Sequence, residues 1–216
     1  SAKMVRCVLP DVPVGDITLY VTNNGIDWIG VPASKSFVVM PVPKITSIFP
    51  TQGVSHGGTK VTVHGGGFVH SPSIMECLFG NVAADVAFLS TVELLCVAPV
   101  QTNITNVDVV LMLNGKRIAT SPTQFTYYAA PRVTSTVPRM VALFAPRAID
   151  VYGIGFVNLT ETACKFSNHP NVPATFISSE HLQCLSPSLS QSGGVDITEG
   201  WVTVEVTCNG VDWSRD

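Results

Sequence analysis

The feature that most constrains this chain is that it repeats itself about every 88 residues. Pro43-Lys44-Ile45-Thr46-Ser47-Ile48-Phe49-Pro50 returns as Pro131-Arg132-Val133-Thr134-Ser135-Thr136-Val137-Pro138. Gly65-Gly66-Gly67-Phe68-Val69 returns as Gly153-Ile154-Gly155-Phe156-Val157, and Cys96-Val97-Ala98-Pro99 as Cys184-Leu185-Ser186-Pro187. The opening residues match the second half of the same unit: Cys7-Val8-Leu9-Pro10 is its Cys-x-x-Pro element, and Asn24-Gly25-Ile26-Asp27-Trp28 recurs as Asn209-Gly210-Val211-Asp212-Trp213. The middle copy keeps only Asn114-Gly115 there. Phe37 corresponds to Phe125, the closing strand of each copy. The expected organisation is half a module over 1–41, a whole module over 42–129, and a module lacking its last strand over 130–216. A window on a longer chain is expected.

Each unit has the pattern of β structure. Lys60-Val61-Thr62-Val63-His64, Val107-Asp108-Val109-Val110-Leu111 and Val202-Thr203-Val204-Glu205-Val206 alternate with period two. Gly, Pro and Asn punctuate these runs, and no stretch has a helical period. Asn114-Gly115 and Asn209-Gly210 read as hairpin turns, because both central positions of that turn take positive φ. About seven short strands in a unit of this size predict an all-β, immunoglobulin-like two-sheet sandwich. The link from Tyr128 to Pro131 is short, so adjacent modules are expected to be held semi-rigidly, as an elongated rod.

Two cysteine pairs occupy equivalent places in the fuller copies. Cys77–Cys96 and Cys164–Cys184 are the expected disulfides, and each would close a loop worth about 3 kcal/mol. Buried reduced cysteine is the alternative. Cys7 matches the second member of a pair, and Cys208 has no counterpart, so its pairing stays open. Asn103-Ile104-Thr105 and Asn158-Leu159-Thr160 are N-glycosylation acceptors, which with paired cysteines point to a secretory route.

Composition narrows the partners. Only 12% of residues are charged and the net charge is -3, against about 25% charged in ordinary soluble domains. A surface of Ser, Thr, Asn and Gly suits a protein covered by neighbours or glycans. No basic cluster offers the footprint that nucleic acid requires. No apolar run approaches the ~18 residues of a membrane helix, so direct membrane insertion of this segment is not expected.

In the middle copy, Pro43 to Pro50, Gly57-Gly58-Thr59-Lys60-Val61-Thr62-Val63-His64-Gly65, Gly67-Phe68, Cys77-Leu78-Phe79-Gly80 and Cys96 to Pro99 together resemble the IPT/TIG domain. The third copy departs where Met140-Val141-Ala142-Leu143-Phe144 replaces the glycine-rich turn. The resemblance implies an early-set immunoglobulin-like fold. Such modules occur in plexins, in fibrocystin-like ciliary-membrane proteins, in surface proteins of protists and algae, in bacterial glycan-handling proteins and in Rel-type transcription factors. The cysteines favour the extracellular branch, a ciliary or flagellar surface included. The fold hosts many roles and so leaves function open.

No catalytic centre, cofactor site or metal centre is expected. Gly65-Gly66-Gly67 follows a strand as a phosphate loop would, but lacks its Lys-Ser/Thr ending. His64 and His70 flank that turn without the three or four convergent ligands a metal needs. Trp28 and Trp213 follow the Asn-Gly turns and read as packing residues or as partner contacts, and Trp201 as a strand residue. The leading expectation is a structural or adhesive array of a receptor, adhesin or filament protein. Its partners would be other protein modules or chains, with strand donation between chains as a variant. A glycan-binding accessory module is the second reading, which exposed coplanar tryptophans would support. A DNA-contacting module is the third, and Lys116-Arg117 is the only adjacent basic pair.

Overall fold

A computed structural model describes residues 6–8, 10–31, 37–70, 75–140, 146–187 and 202–214. The expected strand residue Trp201, and 141–145 where the third copy departs from the motif, lie outside these. The chain is all-β and falls into two compact units, residues 1–43 and residues 44–216. In the first, β1 (Gly15–Ile17) pairs antiparallel with β4 (Phe37–Val39), and β2 (Tyr20–Val21) with β3 (Ile29–Gly30).

The second unit opens with β5 (Lys44–Phe49), β6 (Gln52–Val54), β7 (Lys60–Gly66), β8 (Met75–Phe79), β9 (Val82–Ser90) and β10 (Glu93–Val97). Then follow β11 (Asn106–Val107), β12 (Val109–Leu113), β13 (Lys116–Thr120) and β14 (Phe125–Tyr128). Seven of these form one antiparallel sheet in the order β13-β12-β8-β9-β10-β7-β5, and its outermost strands β13 and β5 lie against each other. The period-two pattern decides what lies inside. Val61, Val63, Cys77, Phe79, Leu94, Cys96, Val109 and Leu111 are buried in one cluster, which Phe68, Phe125 and Tyr127 complete. The closing strand β14 pairs parallel with β6, Thr126 opposite Gln52 and Tyr128 opposite Val54. It brings Phe125 edge-on to Phe79 at 5.0 Å, an arrangement the ring quadrupoles favour.

The rest of the unit repeats the plan with β15 (Arg132–Val137), β16 (Ala148–Ile154), β17 (Ala163–Phe166), β18 (Val172–Ser178), β19 (His181–Leu185) and β20 (Val204–Thr207). They pair in the order β15-β16-β19-β18-β17-β20. Its core centres on Ile149, Val151, Phe156, Cys164, Phe166, Leu182, Cys184 and Val206.

The glycine turn recurs for a steric reason. β5 slips register against β7 between Ile45 and Ser47, as β15 does against β16 between Val133 and Ser135. The bulge presses the opposite backbone onto Gly65 and Gly153. A Cβ on Gly65 would strike the Lys44 carbonyl oxygen and the Phe68 ring; on Gly153, the Arg132 carbonyl oxygen and Phe156. Two residues on, Gly67 and Gly155 take φ of 74° and 75°, which L side chains avoid.

Asn114 and Gly115 both have positive φ, 50° and 72°, and join β12 to β13 as the two-residue turn expected. Asn209-Gly210 differs. Only Gly210 has positive φ, 76°, and the Asn209 side chain caps a longer loop by accepting from the Val211 and Asp212 amides. The hairpin expectation fails there because a side-chain acceptor replaces the backbone one.

Candidate functional site

The most built feature among the described residues outside the cores is a seam inside residues 44–216. One side is the base of the β5–β14 module, where Thr59 precedes β7 and β6 lies beside β14. The other is the loop from Thr207 to Trp213 that leaves β20. This tongue is self-assembled. Thr207 Oγ1 accepts from the Gly210 amide at 3.0 Å, and Asn209 Oδ1 accepts from the amides of Val211 at 3.1 Å and Asp212 at 2.8 Å. Asn209 Nδ2 donates to Asp212 Oδ2 at 2.8 Å. An isolated bridge between Thr207 and Trp213 closes the loop.

The assembled tongue reaches across. Asn209 Nδ2 donates to the Gln52 carbonyl at 2.9 Å, and the fully buried Thr59 hydroxyl donates to Asp212 Oδ2 at 2.6 Å. Thr59 Oγ1 also accepts from the Val54 amide at 3.3 Å, so the hydroxyl is held from both sides. A hydrogen bond to a carboxylate is about twice as strong as a neutral one, so a single bond of this kind can set the register of a joint. Gly53 leaves room for it, since a Cβ there would collide with the Thr59 side chain and the Phe125 ring.

Beside these polar contacts Cys208, Val54 and Tyr128 form a small buried cluster, with Val157 and Leu159 packed on it. The Val157 amide donates to Cys208 Sγ at 3.4 Å. Burial pushes the thiol above its ordinary pKa, against which that amide works. The Tyr128 phenol is raised too, by burial and then by the neighbouring Cys208 and Asp212, and its buried hydroxyl has no hydrogen-bond partner among the described residues.

Disulfides join Cys77 to Cys96 and Cys164 to Cys184, with Cα atoms 6.3 and 6.2 Å apart. Cys7 is free and exposed, Cys208 free and buried. Asn103 and Asn158 are both exposed, Asn158 between the seam residues Val157 and Leu159. His64 lies 3.3 Å from Glu93 and His70 packs edge-on against Phe88, so the two turn histidines are engaged separately. Trp28 is 60% exposed. Trp213 is half-buried with Lys165 Nζ 5.6 Å above its ring, packed back on its own module. The cross-seam hydrogen bonds engage Asn209, which the sequence marks as a turn residue, and Asp212, to which the sequence assigns no role. Their signal is the recurrence of Asn-Gly-x-Asp-Trp at 24–28 and 209–213 and its absence from the middle copy. Among the described residues no group of three or more His, Cys, Asp or Glu side chains converges as metal ligands, and no helix is long and apolar enough to cross a membrane.

The family model for the IPT/TIG domain matches residues 43–127 and again 131–216. Fibrocystin-L of Mus musculus is 28% identical over 175 residues, covering 79% of this chain and 4% of the relative. Plexin-A2 of Mus musculus is 28% identical over 167 residues, covering 76% of this chain and 8% of the relative. The full extracellular region of plexin A4 is a structural neighbour with a TM-score of 0.50 and 17% identity, covering 74% of this chain and 14% of that one, a likeness of fold alone. This chain therefore spans less than a tenth of the length of those two curated relatives.

Proposed function

The chain belongs to the IPT/TIG domain family, and on that premise we propose that it is a non-catalytic structural or adhesive array of an extracellular or cell-surface protein, whose modules serve as spacers and protein-contact surfaces. The observation that carries this reading is the seam. A tongue preassembled by its own side chains inserts an aspartate onto a buried threonine of the preceding module. Such a joint transmits orientation along an array, and nothing in its chemistry calls for a substrate or cofactor. Two disulfides, exposed sequons at Asn103 and Asn158, and a sparsely charged surface support a secretory setting. The matched plexin A4 chain is itself an extracellular region. The modules we assign are 1–41, 42–129 and 130–216.

The test of the joint is NMR relaxation on the 216-residue chain. The two modules of residues 44–216 should tumble as one body; independent tumbling on either side of the seam would remove the spacer reading. The test of the compartment is non-reducing peptide mapping of protein from its native source. Both disulfides with glycan on Asn103 or Asn158 is the expected result; free thiols and bare asparagines would return an intracellular module to the front.

A further inference from the structure

The loop from Thr22 to Trp28 repeats the internal hydrogen bonds of the seam tongue. Gly25 N donates to Thr22 Oγ1 at 2.9 Å, as Gly210 does to Thr207 at 3.0 Å. Asn24 Oδ1 accepts from the amides of Ile26 at 3.0 Å and Asp27 at 2.8 Å, and Asn24 Nδ2 donates to Asp27 Oδ2 at 2.7 Å. The counterparts at Asn209 are 3.1, 2.8 and 2.8 Å. Two loops in different units are thus wired alike, yet their surroundings differ. Asn209 is 2% exposed and bonds across a seam, whereas Ile26, Trp28 and Ile29 are 80, 60 and 73% exposed. A shallow groove lined by Val21, Thr22, Asn24, Asp27, Ile29 and Val31 runs beside the exposed loop.

Tongue and base follow a pairing pattern. The β5–β14 module has the base threonine, Thr59, but a plain two-residue turn at Asn114-Gly115 in place of a tongue. The following module has the tongue but an exposed Arg147 where the base threonine stands; Ser186 N bonds the Arg147 carbonyl as Ala98 N bonds that of Thr59. A tongue therefore goes with a base on another module. We propose that the Thr22–Trp28 tongue is a docking element that seats on an immunoglobulin-like module presenting a buried base threonine, with Asp27 accepting its hydroxyl and Asn24 donating to a strand-edge carbonyl. One residue specifies the partner further. Asn23 stands where Cys208 stands, so the surface it meets offers a hydrogen-bonding group in place of the apolar contact that Val54 and Tyr128 give the thiol. This inference rests on the array reading and names one more contact within it.

Amide hydrogen exchange with cross-linking mass spectrometry, on the native protein in which this chain occurs and on the 216-residue chain alone, tests it. The amides of Ile26 and Asp27 should exchange at least about 100-fold more slowly in the native protein than in the shorter chain. Cross-links from residues 22–28 should fall on a β-module bearing the base threonine. Val211 and Asp212 are the internal control and stay protected in both. Fast exchange at residues 22–28 in the native protein, or cross-links only to something other than such a module, overturns the proposal while the array reading stands. Loss of protection at Val211 and Asp212 as well would instead overturn the array reading itself.

Discussion

Thr59 and Asp212 are 153 residues apart in sequence, and the hydroxyl of one donates to the carboxylate of the other at 2.6 Å. Thr59 is fully buried and Asp212 half-buried, so losing the carboxylate leaves a buried hydroxyl without its acceptor. Removing one partner strands a buried polar group at about 1–3 kcal/mol, and a hydrogen bond to a charged group contributes about 1.5–3 kcal/mol. T59V and D212A should each weaken the seam. The double variant should lose less than the sum, with a coupling of about 1.5–3 kcal/mol in a urea-unfolding cycle. Additive losses would mean the contact does not form in solution.

The glycine turn makes a contrast between neighbouring positions. Gly65→Ala drives a methyl into the Lys44 carbonyl and the Phe68 ring, whereas Gly66 faces open space. G65A should destabilise by about 1–3 kcal/mol as an overpacked site. G66A should stay within about 0.5 kcal/mol, as surface changes do. Urea midpoints decide it, and G153A should follow G65A because Gly153 meets Arg132 and Phe156 in the same way.

Much of this fold was legible and the seam was not. Val61, Val63, Val109 and Leu111 alternate with polar neighbours along the chain, and that alternation alone places them in the core. The Gly-x-Gly-Phe turns were legible because their cause is local: a bulge, a close carbonyl and an aromatic three residues on. The parallel pairing of β14 with β6 carries no such mark, since nothing near Phe125 names Gln52 as its neighbour. Asn209 misled for a related reason. Asn-Gly is a strong two-residue turn signal, and whether Asn adopts positive φ or caps with its side chain depends on the residues that follow. In the middle copy Lys116 follows and the tight turn forms; in the last, Val211 and Asp212 offer amides to the side chain. Thr59 carries no local mark either, since its partner Asp212 sits in another module.

The disulfides close loops with sequence separations of 19 and 20. Each removes about 3 kcal/mol of unfolded-chain entropy in the loop-closure model. C164S/C184S should therefore lower the stability of the last module by about that amount, read from urea midpoints against the oxidised parent. An unchanged midpoint under oxidising conditions would mean that bond is not formed in the native protein.

Asp150 predicts an acid limb. Hydrogen bonds from His181, first, and from Gln183 hold its carboxyl below the ordinary carboxylate value. A depressed folded value stabilises above the unfolded value of about 3.9 and is lost as pH falls through the folded one. Thermal midpoints of the wild type should fall across that acidic window, and D150N should flatten the fall. A D150N curve parallel to wild type would show that Asp150 is not the responsible group.

Cys208 reports on the seam from inside. Its thiol is fully buried among Val54, Tyr128, Val157 and Leu159, and burial raises its pKa, so it is a poor nucleophile while the seam is closed. Cys7 is free and exposed. A thiol reagent added to the native chain should therefore label Cys7 quickly and Cys208 only through opening of the seam. Each ~1.4 kcal/mol taken from the seam multiplies the open fraction about tenfold. D212A should accordingly raise the Cys208 labelling rate by about tenfold or more while leaving that of Cys7 unchanged. Equal rates at the two cysteines in the native chain would show that the tongue is not seated. A Cys208 rate that ignores D212A would show that the apolar cluster, and not the Thr59–Asp212 contact, keeps the joint closed.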